Sequence, residues 1–470
     1  MAQPAQPVRP RPVPPTGSAP LAPARPRPGP TLAITSVATA VALMNYTAPM
    51  TALPGISAAL ATPPSGQAWL LNGTPLGLAV VLLVAGSLAD DYGRRRLFLI
   101  GTLALGLTTA LGALATDTLT FTLARVAQGA ASAAILATSL GLLVGAFPAG
   151  AARIRATGVW GAFVSVGIAL GPLLAGSLGS VDWRLTYVVL GLAALLTAAF
   201  AFRTLDESRA PRGGRPDLAG AAVLGLSMTA LLTALTLGRD GWLRAPVALL
   251  LLAAVALALV FLAVERRAAA PLIDPALLRS RPFLASSAGG LFTGLAVIGL
   301  FSFLPTLLQR ALGLSAIDAA WLFLLWSGTG FVVALQSRRL AGRVPARHQL
   351  AAGFVLHAVG VVSLLGTLDA GGRPDATVWL RLIPALVVSG AGSGLLNAAL
   401  PRLAIESVPQ ERAAMGSGAN NTARYIGSSA GVAVTIAVAT TGSGADGAML
   451  LSVGLALVAT VSVLLLRDRS

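Results

Sequence analysis

The chain has 470 residues, 55% hydrophobic and only 11% charged, with a mean hydropathy of +0.80; an average soluble domain is about one quarter charged, so this composition describes an all-α polytopic membrane protein. Its net charge of +16 comes from 33 basic residues, all arginine, against 17 acids. The arginines lie between apolar runs and not in an aromatic-interleaved patch, which argues against nucleic-acid binding.

Residues 1–30 hold eleven prolines and four arginines with no acid, the composition of a disordered, polyproline-like arm. No short apolar stretch ends there in a small-residue cleavage site, so a cleaved leader is not expected. From Thr31 onward, apolar runs of about the 20 residues a spanning helix needs occupy 31–53, 67–88, 96–116, 119–146, 156–178, 185–203, 218–238, 244–264, 284–308, 318–340, 348–368, 378–400, 416–438 and 446–466. The expected count is fourteen transmembrane helices. Charge placement supports it: with a cytoplasmic N-terminus, and with arginines at the ends of runs counted with the adjoining loop, 25 arginines fall on inner segments and six on outer loops, leaving Arg125 and Arg424 inside spans. A missed helix would invert every later loop and destroy this asymmetry.

Between the second and third runs lies Gly86-Ser87-Leu88-Ala89-Asp90-Asp91-Tyr92-Gly93-Arg94-Arg95-Arg96. Gly86 and Gly93 permit close backbone approach and positive φ, Asp90 suits a helix N-terminus, and Arg94 to Arg96 hold the turn inside. The fourth run carries Arg125-Val-Ala-Gln128-Gly129. An arginine in a span needs a polar cavity or a partner, or must snorkel to the surface, and Arg125 lies near enough to its helix end for either. In the fifth run, Gly167-Ile-Ala-Leu-Gly171-Pro172-Leu-Leu-Ala-Gly176 sets a small-residue face beside a helix-bending proline.

These motifs closely resemble those of the major facilitator superfamily: the signature loop between its second and third helices, the helix-four arginine motif, and the helix-five motif of its exporters. Trp183-Arg184, Glu265-Arg266-Arg267 with Pro271-Leu272-Ile273-Asp274, Phe303-Leu304-Pro305 with Gln309, and the block from Val408 through Gly416, Asn421, Arg424 and Gly427 resemble its fourteen-helix drug:proton antiporters. The resemblance implies two six-helix halves, 31–203 and 284–466, with residues 204–283 forming a linker and two inserted helices, and 467–470 a short tail. Leu340-Ala341-Gly342-Arg343 sits where a degenerate second signature loop belongs, as an internal duplication requires. By the same resemblance, Asp90 should lie near Gly416 and Ser417 and hold the inner side closed, and Gly171 and Pro172 should pack the fifth helix against the second half.

One departure matters. The subfamily's first helix usually carries an acid nine residues before a proline; nine before Pro54 stands Asn45, with Thr47 following. An amide cannot carry a proton between bulk phases, and none of the 17 acids falls at the middle of a run. Coupling could use Asp90, Asp117 or His357, or be absent, or reside in a charged substrate. His357 has the right unperturbed pKa for a relay, though a lone histidine among small residues is more often a packing residue.

The expected function is a secondary transporter exporting small amphipathic organic compounds by alternating access, with protons as a candidate coupling ion. The alternatives are a facilitator or importer of a polar metabolite and, in another class, a membrane receptor or embedded enzyme. With no cysteine, two histidines, no nucleotide-binding loop and no nucleophile–base pair, neither catalysis nor a metal or other cofactor is expected. Gating falls to Gly86, Asp90, Gly93, Arg94, Gly167, Gly171, Pro172 and Gly176. Candidates for the cavity are Asn45, Tyr46, Asn72, Arg125, Gln128, Trp160, Phe292, Trp326, His357, Asn397 and Arg424. A monomer in the plasma (inner) membrane, with both termini cytoplasmic and lipid as its surroundings, completes the expectation.

Overall fold

The computed structural model describes residues 28–63, 66–148, 150–207, 218–238, 241, 244–268, 277, 279–337, 343–368, 375–408, 413–440 and 444–466. Most of the proline-rich arm, the 271–274 and 340–342 motifs and the tail therefore lie outside the described residues, as does the side chain of Asp90.

In chain order the helices are α1 (Pro28–Thr47), α2 (Pro49–Ala59), α3 (Gln67–Tyr92), α4 (Arg94–Ala113), α5 (Thr118–Ala146), α6 (Ala151–Leu178), α7 (Trp183–Thr204), α8 (Leu218–Gly238), α9 (Ala245–Glu265), α10 (Arg281–Phe292), a π-helical turn (Thr293–Ile298), α11 (Gly299–Leu312), α12 (Ala316–Ser337), α13 (Ala346–Val362), α14 (Ala376–Glu406), α15 (Ala413–Ala439) and α16 (Gly444–Leu465). No strand occurs among the described residues. Ten helices there are long and apolar enough to cross a membrane, or eleven if α1 and α2, bent by 48°, form one span. This falls short of the fourteen runs for identifiable reasons. α3 qualifies only as a shorter apolar helix, Gln67–Leu82, α13 has only 17 residues, and α15 carries Ser417, Asn420, Asn421, Thr422 and Arg424 along its length.

Helices α1–α7 pack mainly on one another, as do α10–α16, while α8 and α9 pair together and α8 rests on α3 and α15. Lipid-facing surfaces are legible in side-chain spacing. Ile100, Leu103, Leu107 and Leu111 recur every three or four residues along α4 and all are exposed, a stripe that only a hydrocarbon solvent tolerates.

Two backbone-to-backbone seams hold the bundles. A Cβ added at Gly167 would meet the Ala40 backbone, and one at Gly171 would strike Thr47 Oγ1 and the Met44 carbonyl. Gly167 and Gly171 thus seat α6 on α1 of the same bundle; α6 also packs on α12 of the second bundle, but not through Gly171 as expected. Only Gly176 faces across, toward Ala316 and Ala320 of α12, because five further residues rotate the helix by about 140°. α6 continues unbroken through Pro172, whose carbonyl accepts a 2.9 Å bond from Thr51 Oγ1. In the second bundle Gly427 and Gly431, again four apart, press on the carbonyls of Leu291 and Leu295. The two seams are equivalent in form.

Asp117, expected at a helix end and a candidate for coupling, caps α5: its carboxylate accepts from Leu119 N and Thr120 N at 2.9 Å each. Those bonds, chiefly the one from Thr120, hold its pKa below the usual carboxylate value. A depressed pKa stabilises the fold above the ordinary carboxylate range, and that contribution disappears as pH falls through the depressed value. Asp117→Asn should therefore flatten the acid limb of the thermal midpoint against pH, and an unchanged limb would show that the cap contributes nothing.

Candidate functional site

The turn between α3 and α4 is shorter than its charge pattern suggests. α3 runs on through Asp90 to Tyr92 and α4 starts at Arg94, so Gly93 alone is non-helical, at φ +114°. Gly86, expected to allow close approach or positive φ, lies within α3 with nothing near its Cβ position. At Gly93 a Cβ would come within 2.6 Å of the Glu207 carboxylate. That carboxylate accepts from Arg95 N at 3.1 Å and lies 3.7 Å from Arg96 Nε, so it answers the exposed N–H groups at the start of α4. Arg94 donates to the Gly141 carbonyl at 2.9 Å and Arg95 to that of Phe202 at 2.6 Å. The arginines thus tie the turn to α5 and α7. Gly93→Ala should cost about 1–3 kcal/mol of backbone strain besides displacing Glu207, read as a lower thermal midpoint; a wild-type midpoint would remove the turn's special status. Glu207 was absent from the sequence candidates, its only signal being an acid just after the sixth run.

Arg125 does not snorkel. It is fully buried, with Nη1 donating to the Asn45 carbonyl and to Gln128 Oε1 at 2.7 Å each and Nη2 to the Tyr46 carbonyl at 3.2 Å. The cause lies in α1. Pro49 has no N–H, so the carbonyl four residues earlier, that of Asn45, loses its helical donor. In hydrocarbon such a group needs a substitute, and Arg125 supplies it where α1 bends into α2. Gln128 Nε2 completes the cluster on the Thr108 carbonyl at 3.2 Å. Asn45 Oδ1 accepts from Thr109 at 3.2 Å, while its buried Nδ2 has no partner among the described residues.

A cavity of about 50 Å³ lies between the bundles, room for roughly three to five waters at 10–15 Å³ each. Of the expected residues, Tyr46, Trp326, Asn397 and Arg424 line it. Trp326 stacks on Phe301, centroids 4.1 Å apart, and Phe323 tilts against it at 5.2 Å. Arg424 Nη2 donates to Asn397 Oδ1 at 2.9 Å, and the Tyr46 and Ser428 hydroxyls meet at 2.9 Å across the bundles. Phe301, Ser302 and Phe323 were missed because they sit in apolar runs. Their signal is helical spacing: Thr293, Val297 and Phe301 recur every four residues, and Phe323, Trp326, Ser327 and Gly330 fall three or four apart on one face of α12.

The remaining candidates lie off the cavity wall. His357 is buried between Ser389 and Ser452, 3.0 Å from each hydroxyl. Asn72 joins three helices, donating to Thr236 of α8 at 3.3 Å and to the Ser429 carbonyl of α15 at 3.1 Å. Trp160 Nε1 bonds Thr39 Oγ1 at 2.9 Å, Phe292 packs into the core, and Arg125 with Gln128 stays behind α1. At the end opposite Gly93 the bundles are joined again: Gln309 donates to the Thr51 carbonyl at 3.0 Å and Arg310 to Gln67 Oε1 at 3.1 Å. Toward the Gly93 end, residues 157–166 of α6 and 331–336 of α12 remain partly exposed.

Spanning helices gathered in two bundles about a polar and aromatic cavity define a multi-pass membrane transporter. Residues 35–432 match the Major Facilitator Superfamily. The chain belongs to that family. It is similar to the "Multidrug resistance protein Stp" of Mycobacterium tuberculosis (strain CDC 1551 / Oshkosh), 33% identical over 391 residues, covering 82% of this chain and 70% of that protein. The "Cephamycin export protein CmcT" of Amycolatopsis lactamdurans is 34% identical over 411 residues, 84% of this chain and 81% of that one. Among solved structures, the human organic anion transporter MFSD10 superposes with a TM-score of 0.64 over 93% of this chain and all of that one; at 17% identity this likeness concerns the fold.

Proposed function

We propose that the protein exports small amphipathic organic compounds across the plasma (inner) membrane by alternating access. Fourteen spans, both termini cytoplasmic, and halves at 31–203 and 284–466 around an inserted pair within 204–283 complete the reading, with a monomer as the working unit. The equivalent glycine seams support a duplicated architecture. Export is supported by the relatives named for resistance and antibiotic export. The observation that carries the function is the cavity itself, in which an aromatic stack faces polar groups of Asn397, Arg424 and Tyr46. With the Gln309 and Arg310 bonds closing the far end, this is the inward-facing side of the cycle, nearly emptied of space for substrate.

In this reading Asp117 is a helix cap and His357 a packing residue satisfied by two serines, so neither relays protons, and Asn45 leaves the usual coupling position neutral. Asn45 equally favours a second reading, uncoupled facilitation. Substrate flux in proteoliposomes, with and without an imposed pH gradient, tests both. Wild-type protein should move aromatic amphiphiles with little response to the gradient, while Asn45→Asp, which sets a carboxylate beside the segment that Arg125 clamps, should acquire one. A strong wild-type response would place coupling on a group other than residue 45. No flux of any amphiphile would remove the export reading.

A further inference from the structure

Among the described residues the cavity has one charged lining residue, Arg424, and no Asp or Glu. Arg424 sits near the middle of α15, and within that span a guanidinium demands acceptors. Among the described residues its side chain makes one hydrogen bond, to Asn397, and its buried Nε has no partner. The contrast with Arg125 is instructive. That cation is walled off and bonded to two carbonyls and an amide oxygen, whereas Arg424 faces the space between the bundles.

We propose that this cavity selects aromatic compounds carrying an anionic group, with Arg424 and Asn397 holding the anion and the Phe301–Trp326 stack holding the ring. The proposal rests on the export reading and specifies its substrate class. A carboxylate or sulfonate would accept charge-assisted bonds from the guanidinium and take up the second Nδ2 hydrogen of Asn397, whose first goes to Ser393 Oγ at 3.5 Å. Serine and tyrosine hydroxyls at 302, 393 and 46 line the same space and extend the donor set. A lipophilic cation entering the cavity would meet like charge with no carboxylate to offset it. The aromatic side is equally specific: Phe301 and Trp326 are stacked face to face, 17° from parallel, and a further planar ring extends such a stack better than an alkyl chain does.

The test is counterflow in proteoliposomes at zero membrane potential with 1-naphthoate and 1-naphthylmethylammonium, probes of similar size and opposite charge, and with decanoate as an alkyl carboxylate. Naphthoate should be exchanged at least about tenfold better than the ammonium, the factor that one charged hydrogen bond supplies, and better than decanoate. Arg424→Gln should abolish that preference and Arg424→Lys should keep part of it. The wild-type preference is read without any variant, so misfolding of Arg424→Gln cannot mask the answer. Preferred exchange of the ammonium would overturn the anion assignment while leaving the exporter intact. Equal exchange of decanoate would overturn the aromatic selectivity. Failure to exchange any probe would overturn both this inference and the export reading.

Discussion

Arg125→Leu is expected to abolish transport and to destabilise the first bundle. The substitution leaves the Asn45 and Tyr46 carbonyls and Gln128 Oε1 without the donor they share. Each orphaned buried acceptor costs about 1–3 kcal/mol, offset in part because leucine has no buried cation to desolvate. The decisive measurement is a double-mutant cycle with Pro49→Ala on thermal-unfolding midpoints in detergent. Alanine at 49 returns an N–H to the position from which a helix serves the Asn45 carbonyl. The loss caused by Arg125→Leu should therefore shrink by about 1 kcal/mol in that background. Additive losses would show that the arginine is not replacing the donor that proline removed.

The second large effect belongs to the seams. Leucine at Gly171 would drive a side chain into Thr47 and the Met44 backbone, and leucine at Gly427 into the Leu291 carbonyl. Overpacking of a well-filled interior costs about 1–3 kcal/mol, occasionally more, and backbone cannot move aside as a flexible side chain can. Folded yield should drop severely for either substitution. Gly454→Leu is the matched control, since nothing lies within 4 Å of a Cβ there and the position is exposed toward lipid. Equal yields for the three variants would mean that the seams tolerate bulk and that close approach is incidental.

Much of the architecture was legible in the sequence because bilayer thickness imposes a length on every apolar run and arginines gather between the runs. Family motifs located Gly93, Arg125 and the helix-five glycines. Their partners were harder to find. Nothing local to Gly167 says that its neighbour is Ala40, and although the fifth helix does pack on α12 of the second half, Gly171 turns to α1 and Gly176 is the motif glycine that points across. Arg125 was expected to need a polar cavity or a partner, or to snorkel, and the clue to its partner was present: Pro49 stands four residues after Asn45. The cavity was half visible. Tyr46, Trp326, Asn397 and Arg424 stood out as polar or aromatic residues in apolar surroundings, while Phe301 was indistinguishable in sequence from a core phenylalanine. Glu207 was invisible as a partner because the turn that it caps lies at the far end of other helices in chain order.

The glycine seams bear on how the protein is made. Chains emerge from the ribosome N-terminal end first, so α1 enters the membrane with its Ala40 and Met44 face uncovered, and that face finds its backbone partner only when the segment around Gly167 arrives. The same delay recurs between Leu291 and Gly427. Each bundle must consequently hold an unfinished helix against lipid while intervening spans are inserted, and its last close contact forms late. Biogenesis should be most exposed to chaperones and membrane proteases during those two intervals, and a chain arrested just before Gly167 or Gly427 should be degraded faster than one arrested just after.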